Sequence, residues 1–201
     1  MIRPLAPFTA TLEDAAQLVG ASLHGENISF TGVTHVDSEV EAGDLFIAIP
    51  GARVHGATFA EAARTRGAVA VLTDEAGLAH CAGMPVLVVK DVRTAGALVA
   101  ASFYKYPTRD LISIGITGTN GKTTVSTLLY QIFEAVGRDT GLIGTVETRI
   151  GAEALKSSRT TPEAPELQAL AAVMRERHMR HLVMEVSSHA LSLNRIKGSH
   201  F

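Results

Sequence analysis

One short segment constrains this chain more than any other: Gly115-Ile116-Thr117-Gly118-Thr119-Asn120-Gly121-Lys122-Thr123-Thr124. An apolar run, Leu111 to Ile116, precedes it, and the amphipathic stretch VSTLLYQIFEAVG follows. A strand, a Gly-rich turn and a helix in that order make a phosphate cradle. Glycines let the backbone wrap an anion, and amide N–H groups at the helix N-terminus point at its oxygens. In such a cradle Gly118, Thr119, Asn120, Gly121, Lys122, Thr123 and Thr124 bind ATP. Lys122 reaches the β/γ-phosphates and the Thr123 hydroxyl binds Mg²⁺. The general pattern places a glycine six residues before the lysine. Here Ile116 stands there, and the glycines fall at 115, 118 and 121. The Gly-Lys-Thr core and its context are kept. A plain turn with a surface lysine is the alternative, and the flanking strand and helix weigh against it.

A phosphate loop of this kind needs an acid to hold Mg²⁺, usually at the end of a neighbouring strand. His181 to Val186 (HLVMEV) reads as a buried strand, with Glu185 near its C-terminal end. Open α/β sheets bind ligands at that end. A lone acid on a buried strand is costly unless it has a task. A helix-capping or salt-bridged glutamate is the structural alternative.

The chain's 201 residues allow one large domain or two small ones. Eighteen Lys and Arg stand against twenty Asp and Glu, a formal net charge of −2. That balance argues against nucleic acid and against a polybasic membrane-surface protein. No stretch approaches the ~20 apolar residues of a membrane span. No signal-peptide run opens the chain, so a cytoplasmic protein is expected. Cys81 is the only cysteine, which excludes an internal disulfide and a cysteine-based zinc site. It reads as a small buried hydrophobe.

The first hundred residues read as one α/β unit. Thr11 and Asp14 resemble a capping box opening a helix through Leu18, stopped by Gly20. Residues 28–36 read as a strand, and Asp44 to Ile49 as a buried one ended by Pro50-Gly51. Thr58 and Glu61 form a second capping-box pattern, for a helix that Gly67 closes. The apolar runs Ala68 to Leu72 and Val86 to Val89 suit parallel strands covered on both faces. Asp91 caps a helix to about Tyr104. Pro107 marks a joint, so a boundary is expected near 106–110. The two domains are then 1–107 and 108–201. The expected second sheet has three parallel strands: 111–116, 140–144 and 181–186.

Taken together, these segments resemble the Mur ligases, the ATP-dependent enzymes that build the peptidoglycan stem peptide. GITGTNGKTT matches their nucleotide loop. Thr160-Thr161-Pro162-Glu163 and Met184-Glu185-Val186-Ser187-Ser188-His189-Ala190-Leu191 are similar to segments of the type that adds the third residue, the MurE type. Gly43-Asp44-Leu45-Phe46 and Gly51 to Phe59 look like its UDP-binding domain. The resemblance covers essentially the whole chain. It implies a small UDP-binding α/β domain followed by the first part of a P-loop parallel-sheet ATPase domain.

The resemblance also implies chemistry. A carboxylate of UDP-N-acetylmuramoyl-L-alanyl-D-glutamate takes the γ-phosphoryl of ATP and becomes an acyl phosphate. The amine of a diamino acid, meso-diaminopimelate or L-lysine, then displaces phosphate. Lys122, Glu185 and His189 are the implied catalytic residues, with Thr123 and Glu185 on the metal. Thr160, Thr161, Ser187 and Arg195 are implied to hold the UDP-muramoyl-dipeptide. Val36, Ser38, Ala52, Arg53 and Val54 are implied at the uracil. Bland roles stand beside these: Thr161 as an N-cap before Pro162, Ser187 and Ser188 as caps, Arg195 as a solvated surface charge, His189 as a structural histidine. The sequence departs from the family in two places. The loop after Asp37-Ser38 is one residue short and lacks an arginine, and His55 stands where Asp is common before Gly56.

Phe201 falls inside the central domain of such an enzyme. A fragment is therefore expected, without the carbamylated lysine that binds a second Mg²⁺ and without the amino-acid-binding third domain. Ligation by this chain alone is not expected, because the reaction depends on positioning all reactants together. Two readings from other classes remain. One is a non-catalytic nucleotide-binding module that docks a partner through its open sheet edge. The other is a generic P-loop kinase, against which the TTPE and MEVSSHAL segments stand. Another Mur ligase is the nearest confusion within the family.

Overall fold

The computed structural model describes residues 2–81 and 83–201. They form two compact units, Pro7–Phe103 (unit 1) and Tyr104–Phe201 together with Ile2–Ala6 (unit 2). Residues 2–6 thus leave the domain expected at 1–107. Leu5 and Ala6 donate their N–H groups to the Glu176 carboxylate at 2.9 and 2.6 Å, and Ile2 packs on the unit 2 core.

In unit 1 the elements run β1 (Ala10–Thr11), α1 (Leu12–Val19), β2 (Ser22–His24), β3 (Ser29–Phe30), β4 (Gly32–Thr34), β5 (Asp44–Ile47), α2 (Ala60–Thr65), β6 (Ala70–Thr73), β7 (Val86–Val88) and α3 (Val92–Phe103). The main sheet has the order β2-β7-β6-β5-β4. Strands β4 to β7 are parallel, and β2 lies antiparallel on β7. Strands β5, β6 and β7 are largely apolar and β4 is wholly buried, as parallel strands covered on both faces require. Gly96 lets α3 lie close on the sheet: a Cβ there would sit 2.7 Å from Ile47 Cγ2. The Thr11–Asp14 capping box forms as read, and Gly20 ends α1 in the left-handed conformation at φ 65.

Two readings are corrected here. The strand expected over 28–36 is split at Thr31, because β3 pairs with β1 and β4 pairs with β5. Thr58 does not cap α2. It lies in a 3₁₀ turn over Gly56–Phe59, and its hydroxyl donates to His55 O at 2.7 Å. Glu61 pairs with Arg64 instead. Cys81 is 2% exposed, and burial pushes its thiol up to about 11.

In unit 2 the elements are β8 (Ile112–Ile116), α4 (Lys122–Ala135), β9 (Thr140–Ile143), β10 (Glu147–Ile150), β11 (Glu153–Lys156), α5 (Ala164–Glu176), β12 (His181–Glu185) and α6 (Ser188–Ser192). The sheet order is β11-β10-β9-β12-β8. The expected parallel trio is β9-β12-β8. An antiparallel hairpin, β10–β11, extends it, turning at Gly151 with φ 62. Strand β12 lies between β9 and β8 and is buried at all five residues. The α5 face packs Leu167, Leu170 and Met174 against Ile143, Leu182 and Met184. On the other face Tyr130 of α4 meets Leu142 and Val183. Strand β8 is an edge of this sheet among the described residues, and its Ile112 is 60% exposed. No helix among the described residues is long and apolar enough to cross a membrane.

Candidate functional site

The turn after β8 has the backbone of an anion cradle. Gly118 sits at φ 143, and Gly121, the N-cap of α4, is left-handed at φ 81. No side chain caps this helix, so its first N–H groups remain available to an incoming oxygen. Lys122 Nζ donates to Gly118 O at 2.7 Å and lies 3.4 Å from Thr119 O, folded over its own loop. Thr119, Asn120 and Thr124 are exposed, whereas Lys122 and Thr123 are half-buried.

The Thr123 hydroxyl donates to Glu185 Oε2 at 3.1 Å. Glu185 ends the central strand β12 and is 1% exposed. Thr145, just beyond the end of β9, supplies two more donors. Its N–H reaches Oε1 at 2.8 Å and its hydroxyl reaches Oε2 at 2.9 Å. Three hydrogen bonds thus hold the carboxylate where no cation of the described residues pairs with it. Gly144 makes room for it: a Cβ there would lie 2.7 Å from Glu185 Oε1. A hydroxyl beside a carboxylate is a hard-oxygen set that suits Mg²⁺, so the residues present fit the metal. No group of three or more His, Cys, Asp or Glu able to hold a metal occurs among the described residues. Water and phosphate oxygens would have to complete the coordination.

Thr160, Thr161, Ser187 and Arg195 lie near this end of the unit 2 sheet. The Thr145 hydroxyl lies 3.0 Å from that of Thr160. Thr161 is 1% exposed. Its hydroxyl donates to Glu185 O at 2.8 Å and accepts from Ser187 N–H at 3.1 Å. Thr161 therefore fastens two segments together. It is not the N-cap of α5, a position that Glu163 occupies. Ser187 caps α6, accepting from Ala190 N–H at 3.1 Å. Arg195 is not a solvated charge: its Nε lies 3.0 Å from Glu163 Oε1, with side chains only 12% and 8% exposed. Its Nη1 also donates to Thr161 O at 3.3 Å. His189 lies on α6 and is exposed.

Val36, Ser38, Ala52, Arg53 and Val54 belong to unit 1. Ser38 lies in a 3₁₀ turn over Asp37–Glu39, entered from Val36, just past β4. Residues 52–54 lie in the loop past β5, closed by Gly51 N–H donating to Val54 O at 3.1 Å. Both segments leave the C-terminal ends of adjacent parallel strands, where open α/β sheets take ligands. Ser38 and residues 52–54 are exposed.

Reasoning from the sequence missed Gly144, Thr145 and Glu163. The available signal for the first two was their place directly after β9, one strand over from Glu185.

Comparison with known proteins bears on the family. Residues 29–104 match the family model described as Mur ligase family, catalytic domain, and residues 116–201 match Mur ligase middle domain. A UDP-N-acetylmuramoyl-L-alanyl-D-glutamate–2,6-diaminopimelate ligase of Streptomyces avermitilis is 52% identical over 201 residues, covering 99% of this chain and 40% of the relative. A solved structure of an enzyme with the same name superposes with a TM-score of 0.74 at 27% identity, over 94% of this chain and 38% of that one. MurF from Acinetobacter baumannii superposes at 0.63 with 19% identity, over 92% and 37%, a likeness of fold alone. The chain spans about two fifths of the length of the curated relatives it matches. It belongs to the Mur ligase family.

Proposed function

We propose that this chain is the UDP-sugar- and ATP-binding part of a MurE-type ligase. Such an enzyme joins a diamino acid to UDP-N-acetylmuramoyl-L-alanyl-D-glutamate in peptidoglycan synthesis, in the cytoplasm. The name of the Streptomyces relative supports diaminopimelate as the diamino acid. The observation that carries the reading is the Glu185 carboxylate, buried and held by Thr123 and Thr145 beside the nucleotide loop.

The residues divide the work as follows. The loop amides from Gly118 to Thr124 and the α4 N-terminus receive the phosphates of ATP. Lys122 leaves the Gly118 carbonyl and turns to the β/γ-phosphates. Thr123 and Glu185 would hold Mg²⁺, which would neutralise charge on the transferring phosphoryl group. Thr160 and Arg195 face the UDP-muramoyl-dipeptide, and Ser38 with residues 52–54 of unit 1 receives the uracil. The substrate carboxylate attacks the γ-phosphorus and ADP departs. The amine then attacks the acyl carbon, phosphate leaves, and a proton is released as the amide forms.

Calorimetric titration of the folded chain with UDP-N-acetylmuramoyl-L-alanyl-D-glutamate tests this reading. Saturable one-to-one binding is expected, weakened by Arg195→Ala. Absence of binding by a chain that circular dichroism shows to be folded refutes it.

A further inference from the structure

His55, the residue before Gly56, has a partner distant in sequence, Asp74. Both ring nitrogens of His55 are engaged. Nδ1 accepts from Ala57 N–H at 3.0 Å, so Nδ1 carries no hydrogen and Nε2 does. Nε2 then donates to Asp74 Oδ1 at 3.0 Å. Asp74 Oδ1 also accepts from Gly77 N–H at 2.9 Å, at the start of the 3₁₀ segment Glu75–His80. The His55 carbonyl accepts from Thr58 N–H and from the Thr58 hydroxyl. His55 bridges to Pro50 across the base of the loop that holds residues 51–54. The packing is tight around this hub: a Cβ on Gly77 would come within 2.7 Å of His55 Cε1 and 2.8 Å of Ala57 Cβ.

We propose that His55 and Asp74 are positioning residues for nucleotide binding: together they pin the exposed 51–54 loop to the end of β6 in the shape that receives the uracil of a UDP-sugar. This rests on the reading of unit 1 as the nucleotide-sugar domain and goes beyond it by naming what shapes the loop. Neither side chain needs to touch the ligand. An exposed loop that must be ordered on binding costs affinity, and a preset loop avoids that cost. The tie is neutral-histidine to carboxylate, with a defined tautomer, and it reaches from the loop after β5 to the end of β6.

The test uses UDP as probe and the whole chain as protein. Calorimetry is run on the unaltered chain and on His55→Ala, Asp74→Ala and Asp74→Asn, with thermal midpoints measured alongside. Asn keeps an acceptor oxygen for both His55 Nε2–H and Gly77 N–H. The two alanine variants are expected to lose about tenfold or more in UDP affinity, and Asp74→Asn is expected to stay within about threefold of the parent. Mg²⁺–ATP affinity, which belongs to unit 2, should be the same in all four. UDP affinity unchanged in folded alanine variants overturns the proposal, and so does a loss in Asp74→Asn as large as in Asp74→Ala. Where alanine unfolds unit 1, long-range ¹H–¹⁵N spectra of the unaltered chain decide. The Nε2–H tautomer and a shift of the Ala57 amide on adding UDP support the proposal; the Nδ1–H tautomer overturns it. If the unaltered, folded chain does not bind UDP at all, the reading of unit 1 falls, and this inference with it.

Discussion

Glu185 permits a prediction in which stability and ligand binding separate. The carboxylate is 1% exposed and accepts from Thr145 N–H, the Thr145 hydroxyl and the Thr123 hydroxyl. Glu185→Ala removes all three acceptor contacts. The two hydroxyls can rotate to other oxygens, but the Thr145 N–H cannot. An orphaned buried donor costs about 1–3 kcal/mol, and the small cavity adds to it, so a loss of roughly 3 kcal/mol is expected. Glu185→Gln keeps one acceptor oxygen for Thr145 N–H, and its NH₂ finds the Thr123 hydroxyl as an acceptor. It also removes a charge from a buried place, which offsets lost charge assistance. That variant should stay within about 1 kcal/mol of the parent. The ligand effect runs the other way. Mg²⁺–ATP at a hundred times its dissociation constant stabilises the parent by about 2.7 kcal/mol, and in Glu185→Gln the Mg²⁺-dependent part of that gain should vanish. The assay is urea unfolding followed by tyrosine fluorescence. The chain has no Trp and three Tyr, at 104, 106 and 130, all in unit 2, so the signal reports the unit that holds Glu185. If glutamine costs as much as alanine, or if Mg²⁺–ATP stabilises Glu185→Gln as well as the parent, the assignment of Glu185 is wrong.

Three further outcomes follow from the geometry. Gly144→Ala places a Cβ 2.7 Å from Glu185 Oε1, so the carboxylate must shift; the same fluorescence assay should show reduced Mg²⁺–ATP stabilisation together with about 1–3 kcal/mol of lost stability. Glu163→Ala strands the nearly buried Arg195 guanidinium and should cost roughly 3 kcal/mol in urea unfolding, with Glu163→Gln milder. Burial raises the Cys81 thiol from 9.0 to about 11. The unfolded chain therefore ionises first, and the stability of unit 1 should fall as pH rises from about 9 towards about 11; far-UV circular dichroism of Cys81→Ala should show a flatter profile over that range.

Much of the architecture was legible because it rests on local patterns. The capping box at Thr11, the stop at Gly20, the apolar parallel strands and the Gly-rich turn each announce themselves within ten residues. The nucleotide loop and Glu185 were legible for the same reason. What escaped depends on contacts distant in sequence. The β10–β11 hairpin carries too few apolar residues in Glu147–Lys156 to stand out, and it exists because β9 offers an antiparallel edge. Thr58 matched a cap pattern, yet the His55 carbonyl took its hydroxyl. Thr161 before a proline looked like a helix start, yet its hydroxyl is spent on Glu185 O and Ser187 N–H across the sheet end. Arg195 looked solvated because Glu163, thirty-two residues earlier, is not visible as its neighbour.

The strand order has a consequence for how the nucleotide loop comes into being. In unit 1, β4, β5 and β6 each pair with the next strand in the chain, so that this part of the sheet can grow as it is made. Among the described residues, strand β8, which launches the nucleotide loop, pairs only with β12, about 70 residues further on. At about 5–20 residues per second of synthesis, that is roughly 4–14 s during which β8 has no partner. Closing so long a loop before the reward of strand pairing also slows the search for this arrangement. The pairing of β8 with β12 is also what sets the phosphate cradle beside Glu185, within reach of the Thr123 hydroxyl.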